Sequence, residues 1–335
     1  MNFALDEQQL LLQRTAREWF EAHGGPAAMR RALDGAAPDD HATALAAVGF
    51  LGVLVDEARG GSGLEVLDLA VIAEEAGRTL STAPLVSSAG WAASLLRTAG
   101  GEAASAALRG VASATEPLAV VEEPGAPAIG ALGATGFLAV TGSGLVLAGR
   151  SDVELTEQPQ IDPTRGLARV RLTGGEELGP AAAGEVERAR HVAEVVLAAE
   201  DLGTSARCLD MAVDYAKQRV AFGRPIGSFQ AIKHMCVDMF AQVEQLRSLV
   251  WYAAWSADHD PAQLPMAASA AKAYASGAVE LCASTCIQVH GGIGFTWEHD
   301  AHLYWRRAKV DRVLLGDAAR HHARVAELAL AQASA

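Results

Sequence analysis

Two glycine-containing stretches in the second half of the chain decide how the whole sequence is interpreted. The first is Gln218-Arg219-Val220-Ala221-Phe222-Gly223-Arg224-Pro225-Ile226-Gly227-Ser228-Phe229-Gln230. The second is Gln288-Val289-His290-Gly291-Gly292-Ile293-Gly294-Phe295-Thr296. Each begins where a helical pattern stops, so each is either a turn after a helix or part of a binding site.

The first stretch joins the basic end of one predicted helix to the start of the next. As a plain connection, it would use Arg219 to cap the last carbonyl groups of the first helix. As a binding site, it would offer Arg219 to a diphosphate, Phe222 to an aromatic ring and Gln230 to polar edges. From the residues alone, the connection is the simpler interpretation.

The second stretch places three glycines within four positions after the Ala-rich segment Met266 to Val289. One glycine is enough to end a helix. Three also allow a ligand or a neighbouring backbone to come close, because glycine has no Cβ atom. His290, taken alone, is more simply a structural histidine than a catalytic one.

Composition and periodicity divide the chain into three parts. Of 335 residues, 50% are hydrophobic and only 5% aromatic, which favours close-packed helices over a β-sandwich. We predict an N-terminal helical domain over residues 1–113, a small middle β-domain over 114–178 and a helical C-terminal domain over 179–335. A capping box is expected at Asp6 and Gln9, and a Gly/Ala/Glu-rich linker at Gly174–Glu187.

Periodicity predicts individual elements within two of these parts. In the middle part, short apolar runs separated by Gly, Pro and Asp predict a domain of about four to six strands. These runs are Leu118–Val121, Gly136–Val140, Leu145–Ala148 and Ala168–Leu172. In the C-terminal part, apolar residues at spacings of three and four predict one buried helix stripe. The stripe consists of Ile232, Cys236, Met239, Val243, Leu246 and Val250.

Charge and cysteine content exclude several classes of protein. The formal net charge of −13 at pH 7 argues against nucleic acid or an anionic membrane as a partner. No apolar run approaches the roughly 20 residues of a membrane span, and the start lacks signal-peptide features. Four cysteines in a chain of this length do not form a disulfide scaffold, so we expect a reduced, cytoplasmic setting. Cys282 and Cys286 lack zinc-ligand spacing and are expected in the core, with no metal.

Common nucleotide and hydrolase motifs are also missing. Gly60-Gly61-Ser62-Gly63 does not complete G-x-G-x-x-G, because position 66 is Val66. Neither G-K-[ST] nor G-x-S-x-G occurs, which leaves P-loop and α/β-hydrolase chemistry without support.

Together, the two opening stretches resemble the acyl-CoA dehydrogenase family. The resemblance lies in R-x-x-F-G-x-P-I-G-x-F-Q followed by Q-x-x-G-G-x-G-F. It extends to Phe3-Ala4-Leu5-Asp6-Glu7-Gln8 at the start and to Tyr304-Trp305-Arg306-Arg307-Ala308-Lys309, which is similar to the family's M-R-D-A-K element. Asp56-Glu57-Ala58-Arg59-Gly60-Gly61-Ser62-Gly63-Leu64 resembles its P-E-x-x-G-G-x-G-L turn, with Asp56 in place of the proline.

The resemblance implies a fold and an activity. The fold is an N-terminal helical domain, a middle β-domain, here reduced, and a C-terminal four-helix bundle. The activity is FAD-dependent oxidation of an acyl-CoA to its 2,3-enoyl-CoA, with an electron-transfer flavoprotein as acceptor. In the family, each FAD has its ADP half held by a neighbouring subunit. The residues that correspond are Arg219, Phe222, Gln230, Gln288, Gly291 and Gly292, and all are present.

The flavin-side elements depart from the family pattern. The T-E-P-G-x-G-S-D segment corresponds to Glu122-Glu123-Pro124-Gly125-Ala126-Pro127-Ala128-Ile129, so Glu122 and Ala128 replace two hydroxyl residues. A carboxylate there would repel an anionic reduced flavin. The tryptophan that normally follows has no counterpart, since none lies between Trp91 and Trp251.

The catalytic base is missing where the family carries it. Alignment on Ala308-Lys309 places Leu315 at the usual glutamate, and leucine cannot accept a proton. The alternative base position falls at Ala193. Glu194 is adjacent but rotated by about 100° on a helix, and Asp317 is more simply an N-cap. These two are the weak candidates, and Glu200 could be an ordinary helix acid.

Three hypotheses follow from this pattern. The chain could be the degenerate subunit of a hetero-oligomeric acyl-CoA dehydrogenase, paired with a catalytic subunit that supplies the base and the flavin pocket. It could instead be a self-sufficient homo-oligomer with a relocated base, Asp317 or Glu194. It could also be a non-enzymatic scaffold, although a scaffold has no need of Arg219 and Gln288.

Overall fold

The predicted fold class is confirmed by a computed structural model that describes residues 4–35, 42–123 and 125–334. Helices form both ends of the chain, and two small β-sheets lie between them. Phe3 and Pro124, which belong to two of the motifs above, lie outside the described ranges. Among the described residues, no helix combines the length and hydrophobicity needed to cross a bilayer.

Within residues 4–35 and 42–113, the N-terminal part contains six α-helices and a π-helical segment, Leu85–Ala92, that leads directly into the fifth helix. The helices are α1 Glu7–His23, α2 Pro26–Leu33, α3 Ala42–Val48, α4 Val66–Arg78, α5 Ala93–Leu96 and α6 Gly101–Ala112. The expected capping box opens α1. The Gln9 amide donates to Asp6 Oδ1 at 2.8 Å, and the Asp6 amide donates to Gln9 Oε1 at 3.2 Å.

In its described residues the middle part contains seven strands in two sheets, one more than the four to six that the sequence predicts. They are β1 Leu118–Val121, β2 Pro127–Ala128, β3 Gly136–Thr141, β4 Gly144–Gly149, β5 Val153–Glu157, β6 Ala168–Leu172 and β7 Glu176–Gly179. One sheet has the order β1-β3-β4-β7 and the other β2-β6-β5. The linker predicted at Gly174–Glu187 is wrong, because β7 pairs with β4 and the next helix already begins at Ala183.

The C-terminal part is built around four long helices that pack together: α7 Ala183–Gln218, α8 Gln230–His259, α9 Leu264–His290 and α11 Ala318–Ala333. A short hairpin of β8 Val220–Ala221 and β9 Arg224–Pro225 joins α7 to α8, and α10 Ala301–Asp311 precedes α11. In the predicted α8 stripe, Met239 and the later members are buried, whereas Ile232 and Cys236 are half-buried. Its first turn therefore lies at the edge of the core.

Helices α4 and α7 cross at unusually close range. A Cβ atom on Gly77 of α4 would lie 1.9 Å from the Glu200 carbonyl oxygen. Reciprocally, a Cβ atom on Gly203 of α7 would lie 1.8 Å from the Glu74 carbonyl oxygen. Two backbones touch directly here, so the crossing requires glycine on both helices.

Buried ion pairs tie the β-domain to the C-terminal helices. Arg165, in the turn before β6, donates through Nε to Asp311 Oδ1 of α10 at 2.6 Å, and Nη1 lies 2.6 Å from Glu200 Oε2 of α7. Arg307 donates to Asp162 Oδ2 at 2.5 Å. Because all these side chains are buried, removing one partner would leave an uncompensated charge.

Candidate cofactor site and base position

The loop after α7 is a two-residue hairpin whose tip is an exposed aromatic ring. Phe222 and Gly223 occupy the tip with φ values of +52° and +78°, the combination typical of a type I′ turn. A bulky residue at positive φ is unusual. Phe222 is 95% exposed, and its ring meets the Phe229 ring edge-on with centroids 6.2 Å apart, so most of its surface is left uncovered by this chain.

The loop after α9 presents glycines to open space. Gly291 ends the helix with φ +65°, which favours glycine. Gly292 has no such constraint, and a Cβ atom built on it would meet nothing within 4 Å. No described residue therefore explains the glycine at position 292, whereas a group approaching from outside the chain would.

The structure brings the two loops to the same end of the helical bundle. Tyr215 in the last turn of α7 packs against His290 at the end of α9, with ring centroids 4.3 Å apart. The residues expected to hold the ADP half of FAD are all exposed there: Arg219, Phe222, Gln230, Gln288, Gly291 and Gly292. Within the described ranges, the side chains of Arg219, Gln230 and Gln288 make no hydrogen bond and no ion pair. They are free to bind a group outside this chain.

Further aromatic side chains beside the second loop are exposed. Phe295 is 65% and Trp297 60% exposed, and Trp297 is held in place because Arg30 donates to its carbonyl oxygen at 2.6 Å. Large exposed aromatic side chains grouped near one loop are typical of surfaces that become buried in an assembly. The end of the bundle that carries the candidate ADP residues thus has the character of an interface.

The position predicted for the catalytic base lies beside Arg190 of α7. Its guanidinium pairs with Glu122, the residue that replaces the family's threonine. It also donates through Nη2 to the Leu315 carbonyl oxygen at 2.9 Å and through Nε to Glu194 Oε1 at 3.1 Å. The structure therefore places three of the residues singled out from the sequence, Glu122, Glu194 and Leu315, around one cation.

Glu194 is buried with both carboxylate oxygens engaged. Oε1 accepts from Arg190, and Oε2 lies 2.8 Å from His191 Nδ1. Burial alone would raise the pKa of Glu194, but the hydrogen bond to His191 and the charges of His191, His321 and Arg190 outweigh it and lower that pKa. A carboxylate held in its ionised form by such contacts is a weak proton acceptor. Ala193, at the alternative base position, is fully buried.

Asp317 acts as a helix cap. Its side chain accepts a hydrogen bond from the Arg320 amide at 2.9 Å, at the start of α11. Leu315 and Gly316 precede it with φ values of +59° and +108°, and His321 Nε2 lies 3.1 Å from the Leu315 carbonyl oxygen. The turn before α11 is thus held by the side chains of Asp317 and His321, and Asp317 serves as the N-cap of that helix.

Arg190 is the important residue that the sequence analysis missed. It lies four positions before Glu194 on the same helix face, a spacing that favours an ion pair. That signal was available in the sequence. Its partners Glu122 and Leu315 lie 68 and 125 positions away and could be connected to it only by the structure.

The lowered pKa of Glu194 predicts a pH-dependent contribution to stability. In the unfolded chain a glutamate has a pKa of about 4.3, so the contribution is fully present above that value and is lost as pH falls through the lower folded value. We expect the difference in free energy of unfolding between wild type and Glu194→Gln to shrink as the pH falls below 5. Urea unfolding measures it, with exposed Glu185→Gln as the flat control. A difference that grows on acidification would contradict the assignment.

The two halves of a FAD site differ in this chain. The exposed, unpaired Arg219, Gln230 and Gln288 and the open space at Gly292 fit the ADP half of the cofactor. The flavin side does not fit, because Glu122 and Arg190 form an ion pair beside Leu315, at the positions where the sequence motifs predict a flavin contact and a base.

Comparison with known proteins identifies the family of the chain. Residues 6–115 match the acyl-CoA dehydrogenase N-terminal domain, and residues 186–330 match the acyl-CoA dehydrogenase C-terminal domain. The chain belongs to the acyl-CoA dehydrogenase family. Members are oxidoreductases that act on CH–CH bonds, and the cofactor of this acyl-CoA dehydrogenase is FAD.

Close relatives and solved structures extend the match to almost the whole chain. The acyl-CoA dehydrogenase IpdE2 of Mycobacterium tuberculosis is 35% identical over 321 residues, which covers 92% of this chain and 93% of IpdE2. Its counterpart in Mycolicibacterium smegmatis is 34% identical and covers 93% and 96%. A variant of the Tcur3481-Tcur3483 steroid ACAD aligns with a TM-score of 0.86 at 25% identity over 98% of this chain and 99% of that one. The ChsE4-ChsE5 complex of M. tuberculosis, at 24% identity and 98% coverage of both chains, shares the fold with a TM-score of 0.87.

Proposed function

We propose that this chain is one subunit of a hetero-oligomeric, FAD-dependent acyl-CoA dehydrogenase. Its role is to hold the ADP half of a FAD whose flavin half, together with the catalytic base, belongs to a partner acyl-CoA dehydrogenase subunit. The complex would oxidise an acyl-CoA to its 2,3-enoyl-CoA. The observation that carries the proposal is the contrast between exposed, unpaired ADP residues and a base position filled by the Arg190 ion-pair cluster.

In this proposal, each residue of the ADP half-site makes a specific contact. Arg219 would pair with the diphosphate through its fork of N–H donors. Phe222 would pack its ring against an aromatic surface at the hairpin tip, and Gln230 and Gln288 would hydrogen-bond polar edges. The flexible backbone at Gly291 and the missing Cβ of Gly292 would let the cofactor approach the end of α9. When bound, FAD supplies a hydride acceptor for the β-hydrogen of the substrate.

Features of related proteins support a two-component enzyme. Two of the solved structures that share this fold are named as pairs of different chains, Tcur3481-Tcur3483 and ChsE4-ChsE5. A third relative, acyl-CoA dehydrogenase FadE34 of M. tuberculosis, is 38% identical over 304 residues, but this chain covers only 41% of it. The rest of that longer chain has room for a second unit of similar size.

The electron acceptor and the cellular location are also part of the proposal. An electron-transfer flavoprotein is the acceptor that the family resemblance implies. A cytoplasmic location is supported by four unpaired cysteines, Cys208, Cys236, Cys282 and Cys286, which is the state expected in a reducing compartment.

The stoichiometry of flavin tests the proposal. We expect the purified chain to show little absorbance near about 450 nm, the region of the flavin band. Co-expressed with catalytic acyl-CoA dehydrogenase chains of the same genome, the mixed complex should carry half an equivalent of FAD per subunit. One FAD per chain in the isolated protein, with turnover of an acyl-CoA, would overturn the proposal in favour of a self-sufficient enzyme.

A variant at Asp317 tests the relocated-base alternative. Asp317→Asn keeps a residue that caps helices well but removes a group able to accept a proton. We expect unchanged turnover per flavin in the mixed complex. A loss of turnover by a factor of 100 or more while FAD stays bound would identify Asp317 as a base and remove the case for a degenerate subunit.

A further inference from the structure

Three aromatic rings lie in contact between the two loops of the candidate ADP half-site. The ring of Tyr215, in the last turn of α7, has its centroid 4.3 Å from that of His290 at the end of α9. The His290 ring also packs against His299, which follows the glycines, with centroids 4.1 Å apart. Rings at these separations are in van der Waals contact. We refer to these three side chains as the ring cluster.

The contact between Tyr215 and His290 connects one loop to the other. The backbone amide of Arg219, at the start of the hairpin, donates to the Tyr215 carbonyl oxygen at 2.8 Å. On the other side, His290 lies two positions after Gln288, and its Nδ1 donates to the Cys286 carbonyl oxygen at 2.7 Å. Each ring is therefore held at the base of its own loop, and moving one ring would move the loop that begins there.

The glycine loop folds back over His290. A Cβ atom on Gly294 would lie 2.9 Å from the His290 Cβ and 2.9 Å from the Ile287 carbonyl oxygen. This glycine is thus required by packing inside the chain, unlike Gly292, which faces open space. The close return of the loop explains how a residue nine positions after His290 comes to pack on its ring.

A helix of the N-terminal part holds the far end of the glycine loop. Arg30 of α2 donates through Nη1 to the Trp297 carbonyl oxygen and through Nη2 to Asp300 Oδ1, both at 2.6 Å. These two acceptors lie on either side of His299 in the sequence. The His299 ring is fixed from a third direction, because its Nδ1 accepts a hydrogen bond from the Ala301 amide at 3.1 Å.

We propose that four side chains position the two loops for the ADP half of FAD: Tyr215, His290, His299 and Arg30. The ring cluster sets the spacing between the hairpin and the glycine loop, and Arg30 holds the cluster in place. The cofactor then meets two loops that are already ordered, so less affinity is lost in ordering them on binding. None of the four has to touch FAD itself. This inference rests on the proposed function of the chain.

The affinity of the mixed complex for FAD tests the proposal, with His299 as the position to vary. We expect His299→Ala to weaken FAD binding about threefold to tenfold, the effect of losing one contact between aromatic rings. His299→Phe keeps a ring at this place and should restore the affinity to within about twofold of wild type. Equilibrium dialysis followed by flavin absorbance measures both.

A second histidine that packs on an aromatic ring provides the matched control. His259, at the far end of α8, stacks on Trp255 with centroids 5.2 Å apart. His259→Ala removes a ring contact of the same kind away from both loops, and it should leave the affinity for FAD unchanged. An equal loss of affinity in His259→Ala and His299→Ala would contradict a role that is specific to the ADP half-site.

Hydrogen–deuterium exchange in the isolated full-length chain tests the positioning itself without the cofactor. His299→Ala and Arg30→Ala should both increase exchange of the amides in residues 288–300, whereas His299→Phe should exchange like wild type. Thermal unfolding confirms that each variant keeps the fold. Unchanged exchange in His299→Ala, or a phenylalanine that fails to restore protection and affinity, would overturn the proposal.

Arg219→Ala, measured in parallel, separates this inference from the proposed function. If Arg219→Ala loses FAD while His299→Ala binds it like wild type, the ring cluster does not position the loops, and the ADP half-site stands without it. If both variants keep full affinity for FAD, this end of the bundle does not hold the cofactor and both proposals are wrong.

Discussion

Arg219→Ala should strip most of the FAD from the mixed complex while leaving this chain as stable as wild type. A charge-assisted hydrogen bond is worth about 1.5–3 kcal/mol, so the affinity for FAD should fall about 10- to 100-fold. The chain itself should lose less than about 0.5 kcal/mol, as is usual for exposed positions without partners. Flavin absorbance after dialysis measures the first quantity and urea unfolding the second.

Two further variants test whether the loss of FAD expected for Arg219→Ala is specific to the ADP half-site. Arg97→Ala removes an exposed arginine elsewhere on the surface and should leave the FAD content unchanged. Gly292→Val should reduce the FAD content but leave the isolated chain folded, because nothing in this chain lies within 4 Å of the added Cβ. If Arg219→Ala and Gly292→Val retain full FAD, this end of the bundle does not hold the cofactor.

Gly203→Ala should destabilise the protein severely. The new Cβ would lie 1.8 Å from the Glu74 carbonyl oxygen, so α4 and α7 would have to move apart along a fully buried contact. Overpacking a core costs about 1–3 kcal/mol and occasionally more. We expect at least about 3 kcal/mol here, because the clash involves backbone and cannot be relieved by a rotamer change. Thermal and urea unfolding would show it as a lower Tm or as loss of the folded chain.

At Gly277 we expect substitution by alanine to have the opposite effect on stability. Gly277 lies inside α9 on an exposed face, and a Cβ there would meet nothing within 4 Å. Gly277→Ala should therefore stabilise the chain by about 0.5–1 kcal/mol, the usual difference between alanine and glycine in a helix. Equal effects of the two substitutions would mean that the α4–α7 contact is looser than the structure shows.

The fold was predictable from local sequence signals to a large extent. The capping box at Asp6 and Gln9 was predicted because both partners lie within four residues of each other in the sequence. Strands β5 and β7 were missed because they are mostly exposed and polar, so they lack an apolar run. Their place is set by pairing with β6 and β4, which no local pattern records.

The candidate site was predictable only in part, for a similar reason. Leu315 and Glu122 stood out as departures from a family motif, which is a signal in the sequence itself. What replaces the missing chemistry did not stand out, because Arg190 becomes important only through partners brought to it by the fold. The sequence thus predicts which groups are absent, and the structure shows the Arg190 ion pairs at those positions.

The exposed aromatic ring at the hairpin tip affects how the unassembled chain is handled by chaperones and proteases in the cell. A newly made copy without its partner presents the ring of Phe222 at 95% exposure, with Phe295 and Trp297 also exposed. Chaperones and proteases recognise accessible aromatic surface of this kind, and an orphan copy is open to both. In the proposed complex this aromatic surface would be covered, so we expect the abundance of the chain to follow that of the proposed partner subunit.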